Sequence, residues 1–328
     1  MTPVPRALTI LDPTSLVGRE VAERVAESFP DVRRVFFHTG HEEEHLITDV
    51  AGAASLVPPL VDLDELSGSL AIVLTQKLPP ALAVSLATWL RSNPSGTVLD
   101  VSGTSIAPKD SLTVLGAADL GSGARWLRLP DPTLAGTTHF LRALAPTAPS
   151  EAHVTLISPA STFGPAALEE LAAQGATRLS GRRPPRPTLL PTVLAFDLTS
   201  GAEERRASLE GQLSALVPAV AVHVHLLDAG VFHGHLATVS VRCDNCPGRD
   251  RIRDLLRRSE IIRLAKTTEL PRPSDAVGNR DVTCMGLRVD RPWISAVLLA
   301  DGHRLLAVEP VIELLSALLM PRAGQSWS

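Results

Sequence analysis

The chain is poor in several features on which particular functions depend. Only three of its 328 residues are cysteine, Cys243, Cys246 and Cys284, so no thiol precedes residue 243. Three cysteines do not make a disulfide framework. An excess of positive charge is also missing. Lys and Arg number 31 against 35 Asp and Glu, a formal net charge of −4, and nucleic-acid binding needs a basic face. No apolar run is long and clean enough to predict a membrane span: residues 213–232, the most apolar stretch, include Pro218, two histidines and Asp228. The run at 7–11 that follows Arg6 is too short for a secretory signal core and stops at Asp12, so a cytoplasmic protein is expected. Internal repeats are absent, and so is tyrosine, from which no function follows.

What is present has a globular composition, 45% hydrophobic and 20% charged, with enough length for two domains that each bury a core. The first half alternates short apolar strands (7–11, 34–37, 70–75, 97–101, 112–116) with amphipathic helices. The first helix carries Val17, Val21 and Val25 on one stripe, and the second opens on Pro79-Pro80. Such alternation predicts an α/β fold with a doubly wound, Rossmann-like parallel sheet. From residue 154 the texture changes to an α+β half. It has helices at 165–174, 203–216 and 249–258, and strands at 154–158, 219–227, 231–242, 282–289 and 294–300. A Pro/Arg/Gly-rich loop at 181–191 reads as flexible, and an apolar helix at 308–319 is expected to return to the first sheet. The expected division is a first domain of residues 1–132 completed by 304–328, and a second of 133–303.

Cys243-Asp244-Asn245-Cys246 is a C-x-x-C, and His223, His225, His233 and His235 are close in sequence, so a zinc site must be weighed. The pair lies at a strand end before a charged helix, and two ordinary thiols with no metal are the preferred reading.

Several segments, in order, resemble aspartate-semialdehyde dehydrogenase. Leu16-Val17-Gly18-Arg19-Glu20 resembles the "VGRE" after the family's glycine-rich turn, and Val231-Phe232-His233-Gly234-His235 resembles its "VFxGH". Pro273-Ser274-Asp275-Ala276-Val277-Gly278 with Gly286-Leu287-Arg288 resembles "PxDAVG…GRIR", and Asp301-Gly302-His303-Arg304 resembles "DNLR". The related N-acetyl-glutamyl-phosphate reductases share the architecture but fit these segments less well. The resemblance implies a Rossmann-like domain joined to a dimerisation and catalytic domain, NADP as cofactor, and a homodimer. It also implies a chemistry. A thiolate attacks the aldehyde, a histidine moves protons, an arginine grips the substrate carboxylate, and a nicotinamide accepts the hydride before phosphate releases the acyl group.

At the implied positions the residues depart from that chemistry. In Leu129-Pro130-Asp131-Pro132-Thr133-Leu134, Leu134 stands at the nucleophile, and a hydrocarbon has no lone pair with which to attack. Thr133 beside it is a far poorer nucleophile. His235 stands at the catalytic histidine, and its residue pattern alone reads as a strand histidine sharing a face with His233. Ala160 stands at a glutamine, beside Ser161 and Thr162, and Asp228 stands at the carboxylate-gripping arginine, a reversal of charge. Glu203 and Arg206 match a glutamate and a lysine in kind, and read equally as an exposed helix turn. The family's G-x-x-G-x-x-G turn becomes Asp12, Ser15 and Gly18, which puts a carboxylate toward a pyrophosphate and a side chain in its path. Glu42, Glu43 and Glu44 add negative charge where a 2′-phosphate would sit, and Pro310 replaces an asparagine near the nicotinamide.

The leading expectation is therefore a non-catalytic homologue with no cofactor, acting as a homodimer by binding or structural association, its other protein partners unknown. On this view the sheet region 219–242 offers an apolar interface. The alternative is an active NADP-dependent semialdehyde oxidoreductase of amino-acid biosynthesis with an unusual site. A third reading is a binder of some other small ligand in the cleft, with Asp228 and Asp12 favouring a cation.

Overall fold

The structure is a computed structural model that describes residues 7–40, 46–50, 52–103, 107–120, 123–266 and 268–319. It divides into two compact units, residues 1–130 with 306–328, and residues 131–305.

In the first unit β1 (Ala7–Leu11) is followed by α1 (Leu16–Ser28), β2 (Arg33–Phe37), and a hairpin of β3 (Leu46–Val50) and β4 (Ala53–Val57). Then come β5 (Ser69–Leu74), α2 (Pro80–Ser92), β6 (Thr97–Asp100), β7 (Leu112–Thr113) and β8 (Trp126–Arg128). Six strands form one parallel sheet in the order β2-β1-β5-β6-β8-β7. The mainly apolar run of β1, broken only by Thr9, fits a strand covered on both faces: Leu8 and Ile10 pack on one side with Val21 and Val25 of α1, and Leu11 on the other with Leu86 and Leu90 of α2. The hairpin was not expected from the periodicity, and Gly52 at φ +77° marks its connection.

The second unit begins with α3 (Ala135–Leu144), β9 (Pro149–Ser158), α4 (Pro165–Leu179), β10 (Leu198–Ser200) and α5 (Glu203–Leu216). It continues through β11 (Ala221–Ala229), β12 (His235–Cys243), α6 (Arg249–Arg258), β13 (Ile262–Leu264), β14 (Val282–Asp290) and β15 (Trp293–Ala300). These seven strands form a mixed sheet in the order β10-β11-β9-β12-β15-β14-β13. The chain then re-enters the first unit through α7 (Glu309–Leu319), where Val311, Leu314 and Leu315 join the cluster around Leu8 and Ile10, as expected. A wide π-turn at Arg304–Val308 precedes Pro310, whose ring and missing N–H do not fit a continued α-ladder.

Two sequence expectations need correction. Strands read at 219–227 and 231–242 are shifted to β11 and β12, because glycines end them. A side chain at Gly230 would meet the Leu194 carbonyl at 2.0 Å, and Gly234 (φ +89°) lies equally close to the Pro273 carbonyl. His233 therefore lies in a turn and shares no strand face with His235. The sheet region 219–242 also offers no apolar outer face. Val222, Val224, Leu226, Val239 and Val241 point inward, while His223, His225, Thr238 and Arg242 point out. On that outer face His153 stacks on His223 at 4.9 Å and bonds Glu151 at 2.9 Å.

The loop at 181–191 is irregular, but its far end is held. The Glu170 carboxylate of α4 accepts the N–H groups of Thr188, Leu189 and Leu190, and Gln174 accepts those of Leu194 and Ala195.

Candidate functional site

In the first unit, β1 runs into the turn that opens α1. Asp12 takes φ +58°, a left-handed conformation that glycine adopts freely and aspartate tolerates better than most residues. Its carboxylate is held by the neighbouring strand end. Oδ1 accepts the Thr39 N–H at 2.8 Å and Oδ2 the Thr39 hydroxyl at 2.6 Å, tying the end of β1 to the end of β2. Ser15 is also buried. As N-cap of α1 it accepts the Gly18 N–H at 2.8 Å and donates to Thr75 Oγ1 at 3.1 Å. Thr75 in turn reaches the carbonyls of Leu11 and Asp12, each at 2.7 Å. Gly18 is required by contact: a Cβ there would lie 2.5 Å from the Asp12 carbonyl and 2.7 Å from Ser15 Oγ. Asp12, Thr14, His38, Thr39, Lys77 and Pro79 line a cleft of ≈ 410 Å³ within this unit. Glu42, Glu43 and Glu44 lie outside the described residues. Pro310 is buried in the first turn of α7.

In the second unit, Asp131 accepts the Thr133 N–H at 2.8 Å and so caps a 3₁₀ turn, Pro132–Leu134, that leads directly into α3. Leu134 stands at the start of this helix with 0% exposure. The helix N-terminus that would lower a thiol's pKa is present, and a packed hydrocarbon occupies it.

His235 opens β12 and is likewise buried. Gly302 is wedged beside it, with room for no side chain between the Pro132 carbonyl (2.0 Å from an added Cβ) and His235 Nδ1 (2.8 Å). The Gly302 N–H donates to Nδ1 at 3.2 Å. In the neutral ring Nε2 then carries the proton, and it finds no hydrogen-bond partner among the described residues. Burial holds the His235 pKa well below the usual imidazole value, and the nearby His303, Arg205 and His233 push in the same direction. A ring whose one lone pair is already engaged, and which resists a second proton, is poorly set up as a general base.

Ala160, Ser161 and Thr162 lie in the turn after β9. Ala160 packs with Ala167, Leu171, Leu190 and Leu194, and Thr162 Oγ1 bonds Ser158 Oγ at 2.9 Å.

Asp228 pairs in register with Ser158 on the adjoining strand β9. The charge reversal read at this position is incomplete, because Arg205 of α5 restores a guanidinium. Its Nη1 donates to Asp228 Oδ1 at 2.7 Å and its Nη2 to Ser158 Oγ at 2.7 Å, while Thr133 Oγ1 lies 3.4 Å away. The Phe163 ring sits 5.2 Å beneath it. Asp228 is thus paired with a cation of the chain itself, while Asp12 accepts only neutral donors from Thr39. The Asp228 pKa is raised, because burial outweighs the opposing pull of Arg205.

Arg205 is the residue that sequence reasoning missed. A signal existed: Arg205, Leu209 and Leu213 follow one another at helical spacing of four, so a charge occupies the core-facing stripe of α5. Arg206, by contrast, holds Glu203 at 2.7 Å and Glu210 at 2.9 Å on an exposed helix turn and does not join the Asp228 cluster.

No thiol replaces the missing nucleophile. All three cysteines are free and buried, and burial pushes their pKa values up, that of Cys284 to about 12. Cys243 is eight residues along β12 from His235, roughly 26 Å at strand rise, and bonds Thr147 Oγ1 at 3.2 Å. No group of three or more potential metal ligands occurs among the described residues.

Solved structures with this architecture exist. Aspartate-semialdehyde dehydrogenase II from Vibrio cholerae superposes with a TM-score of 0.85 at 18% identity, over 96% of this chain and 99% of that one. A probable aspartate-semialdehyde dehydrogenase from Pseudomonas aeruginosa gives 0.82 at 20% identity, over 97% and 99%. The fold is that of the aspartate-semialdehyde dehydrogenases. An aspartate-semialdehyde dehydrogenase from Candida albicans solved with NADP gives 0.68 at 12% identity, over 97% and 100%. No protein-family model and no curated relative matches the chain. Within this aspartate-semialdehyde dehydrogenase fold, Ser15 caps α1 in the turn after β1, and a 3₁₀ turn leads into α3 after Thr133.

Proposed function

We propose that this chain is a non-catalytic protein on the aspartate-semialdehyde dehydrogenase fold, acting in the cytoplasm as a homodimer by binding or structural association. The observation that carries this reading is Leu134, fully enclosed at the start of α3 where the resemblance places a cysteine nucleophile. Two further features support it: the Arg205–Asp228 pair fills the anion position internally, and Nδ1 of His235 is already engaged.

NADP fits the turn after β1 poorly. The Gly18 N–H, one of the amides that a helix start offers to a phosphate, already donates to Ser15, and Asp12 places a carboxylate at the edge of the cleft. No reaction step is therefore routed through a nucleotide. Free, buried thiols suit a reducing compartment, and among the described residues no helix is long and apolar enough to cross a membrane. The half-exposed outer face of the seven-stranded sheet, with His153, His223 and Trp293 in ring contact, is the surface assigned to pairing.

The second reading, an active NADP-dependent semialdehyde oxidoreductase, draws on the ≈ 410 Å³ cleft with Lys77 on its lining. Titration calorimetry with NADP and with NAD separates the two. No binding of either is expected, and micromolar binding of one of them overturns the strong form of the first reading. Sedimentation at graded concentrations tests pairing, and a monomer throughout would remove that part.

A further inference from the structure

The C-x-x-C at residues 243–246 belongs to neither the turn after β1 nor the centre around Leu134, since Cys243 ends β12 and His235 begins it. Asp244 and Asn245 form a tight turn between the two cysteines. The Cα atoms at the two ends of such a turn lie within about 7 Å of each other, and a disulfide spans roughly 4.4–6.8 Å. Both flanks are pinned. The Cys243 N–H donates to the Pro292 carbonyl at 2.9 Å. Gly248, two residues after Cys246, is the N-cap of α6, and its carbonyl takes the Ile252 N–H at 3.1 Å. The two sulfurs are near enough that charge on Cys243 opposes charge on Cys246.

Two thiols so placed can share a metal or close on each other. Among the described residues no third metal ligand joins them. Each thiol is also held weakly. The Thr147 hydroxyl proton goes to the Leu144 carbonyl at 2.7 Å, so the Cys243 S–H is the donor to Thr147 Oγ1 at 3.2 Å. The Cys246 S–H reaches only the Pro247 carbonyl, at 3.5 Å. Loss of both protons therefore breaks no strong hydrogen bond, and Thr147 keeps its own. We propose that Cys243 and Cys246 are a reversible dithiol that a small-molecule disulfide, such as oxidised glutathione, closes. Cys246, 8% exposed against 0% for Cys243, is the thiol the oxidant reaches first. Its thiolate attacks one sulfur of the oxidant, the oxidant's S–S bond breaks, and one glutathione leaves and takes up the proton. The Cys243 thiolate then attacks Cys246 Sγ and expels the second glutathione, which takes up the proton of Cys243. Two protein thiols are oxidised and one disulfide is reduced to two thiols. Burial raises the pKa of both thiols and outweighs Arg291 at Cys246, so closure quickens as pH rises.

The test uses the full chain, incubated folded with oxidised glutathione at mildly alkaline pH, quenched in acid, then denatured, alkylated and digested with trypsin. Arg242 and Arg249 bracket the pair, so both cysteines fall in one peptide, residues 243–249. That peptide is expected to be unalkylated and two hydrogens lighter than its dithiol form, and dithiothreitol should restore both thiols. Cys284, buried in β14, should remain free for alkylation after denaturation. Cys243→Ser should retain one glutathione on Cys246, and Cys246→Ser should take up none. Three alkylated cysteines in the native chain, glutathione retained on it, or a cross-link between two chains overturns the proposal. The mass of the native peptide decides the matter even where a serine variant fails to fold.

Discussion

The turn after β1 and the centre around Leu134 both hold replacements at positions the resemblance marks as functional, yet they are replaced in different ways. At the turn, polar residues satisfy one another over short reach: Asp12 holds Thr39, Ser15 holds Gly18 and Thr75, and a cleft persists beside them. At the centre, a hydrocarbon fills the nucleophile position and a charge pair fills the anion position. The lesson is that marked positions can be occupied in two ways, by short-range hydrogen bonding among polar groups beside a cleft, or by apolar packing with a charge pair. The centre should accordingly be the less forgiving of the two regions when a single residue is changed.

The largest effect is expected at the charge pair. Arg205→Ala strands an enclosed carboxylate and should cost about 3 kcal/mol in urea unfolding, while Arg205→Leu/Asp228→Leu should recover most of it. A small loss for Arg205→Ala would mean that the centre is wetter than its burial indicates, and would erase the contrast with the turn.

Leu134→Cys should cost about 2 kcal/mol through the space it leaves in a packed core, and should gain no semialdehyde oxidation in the presence of phosphate and NADP. Turnover by this single variant would show that the remaining parts of the chemistry are intact.

Histidine burial gives the third effect. Burial lowers the pKa of His235, and lowers that of His139 to about 4, with Arg142 contributing. Both bind protons more weakly in the folded chain, so their contribution is complete above about pH 6.5 and is lost as pH falls toward 4. The loss should approach about 1.4 kcal/mol per pH unit for each histidine, and His139→Gln should flatten the slope by one proton. A stability that does not change over this range would contradict the enclosure of both rings.

The smallest effect is at the turn. Ser15→Ala removes the N-cap of α1 and should cost about 1 kcal/mol. A loss as large as that of Arg205→Ala would show that the turn is as tightly coupled as the centre.

The α/β alternation, the return of the last helix and the helices of the second unit were readable because each rests on local periodicity and short-range turn signals. The strand ends at Gly230 and Gly234 were not, because what excludes a side chain there is a carbonyl from Leu194 or Pro273, distant in sequence. The same holds at the site. Leu134 could be placed by motif order, but the partner of Asp228 lies 23 residues away, that of Asp12 lies 27 away, and the donor to His235 lies 67 away. Which groups neutralise one another depends on how strands and helices stack, and only the charge on the apolar stripe of α5 hinted at it.

The two amide clamps from α4 bear on how the chain would respond to a protease. Arg182 and Arg183 are exposed, and the bonds after Arg183 and Arg186 precede proline, which leaves the Arg182–Arg183 bond as the trypsin site in this loop. The cut would fall between α4 and the five amides from Thr188 to Ala195 that Glu170 and Gln174 hold. Severed there, the protein would run as two pieces on a denaturing gel and as one under native conditions.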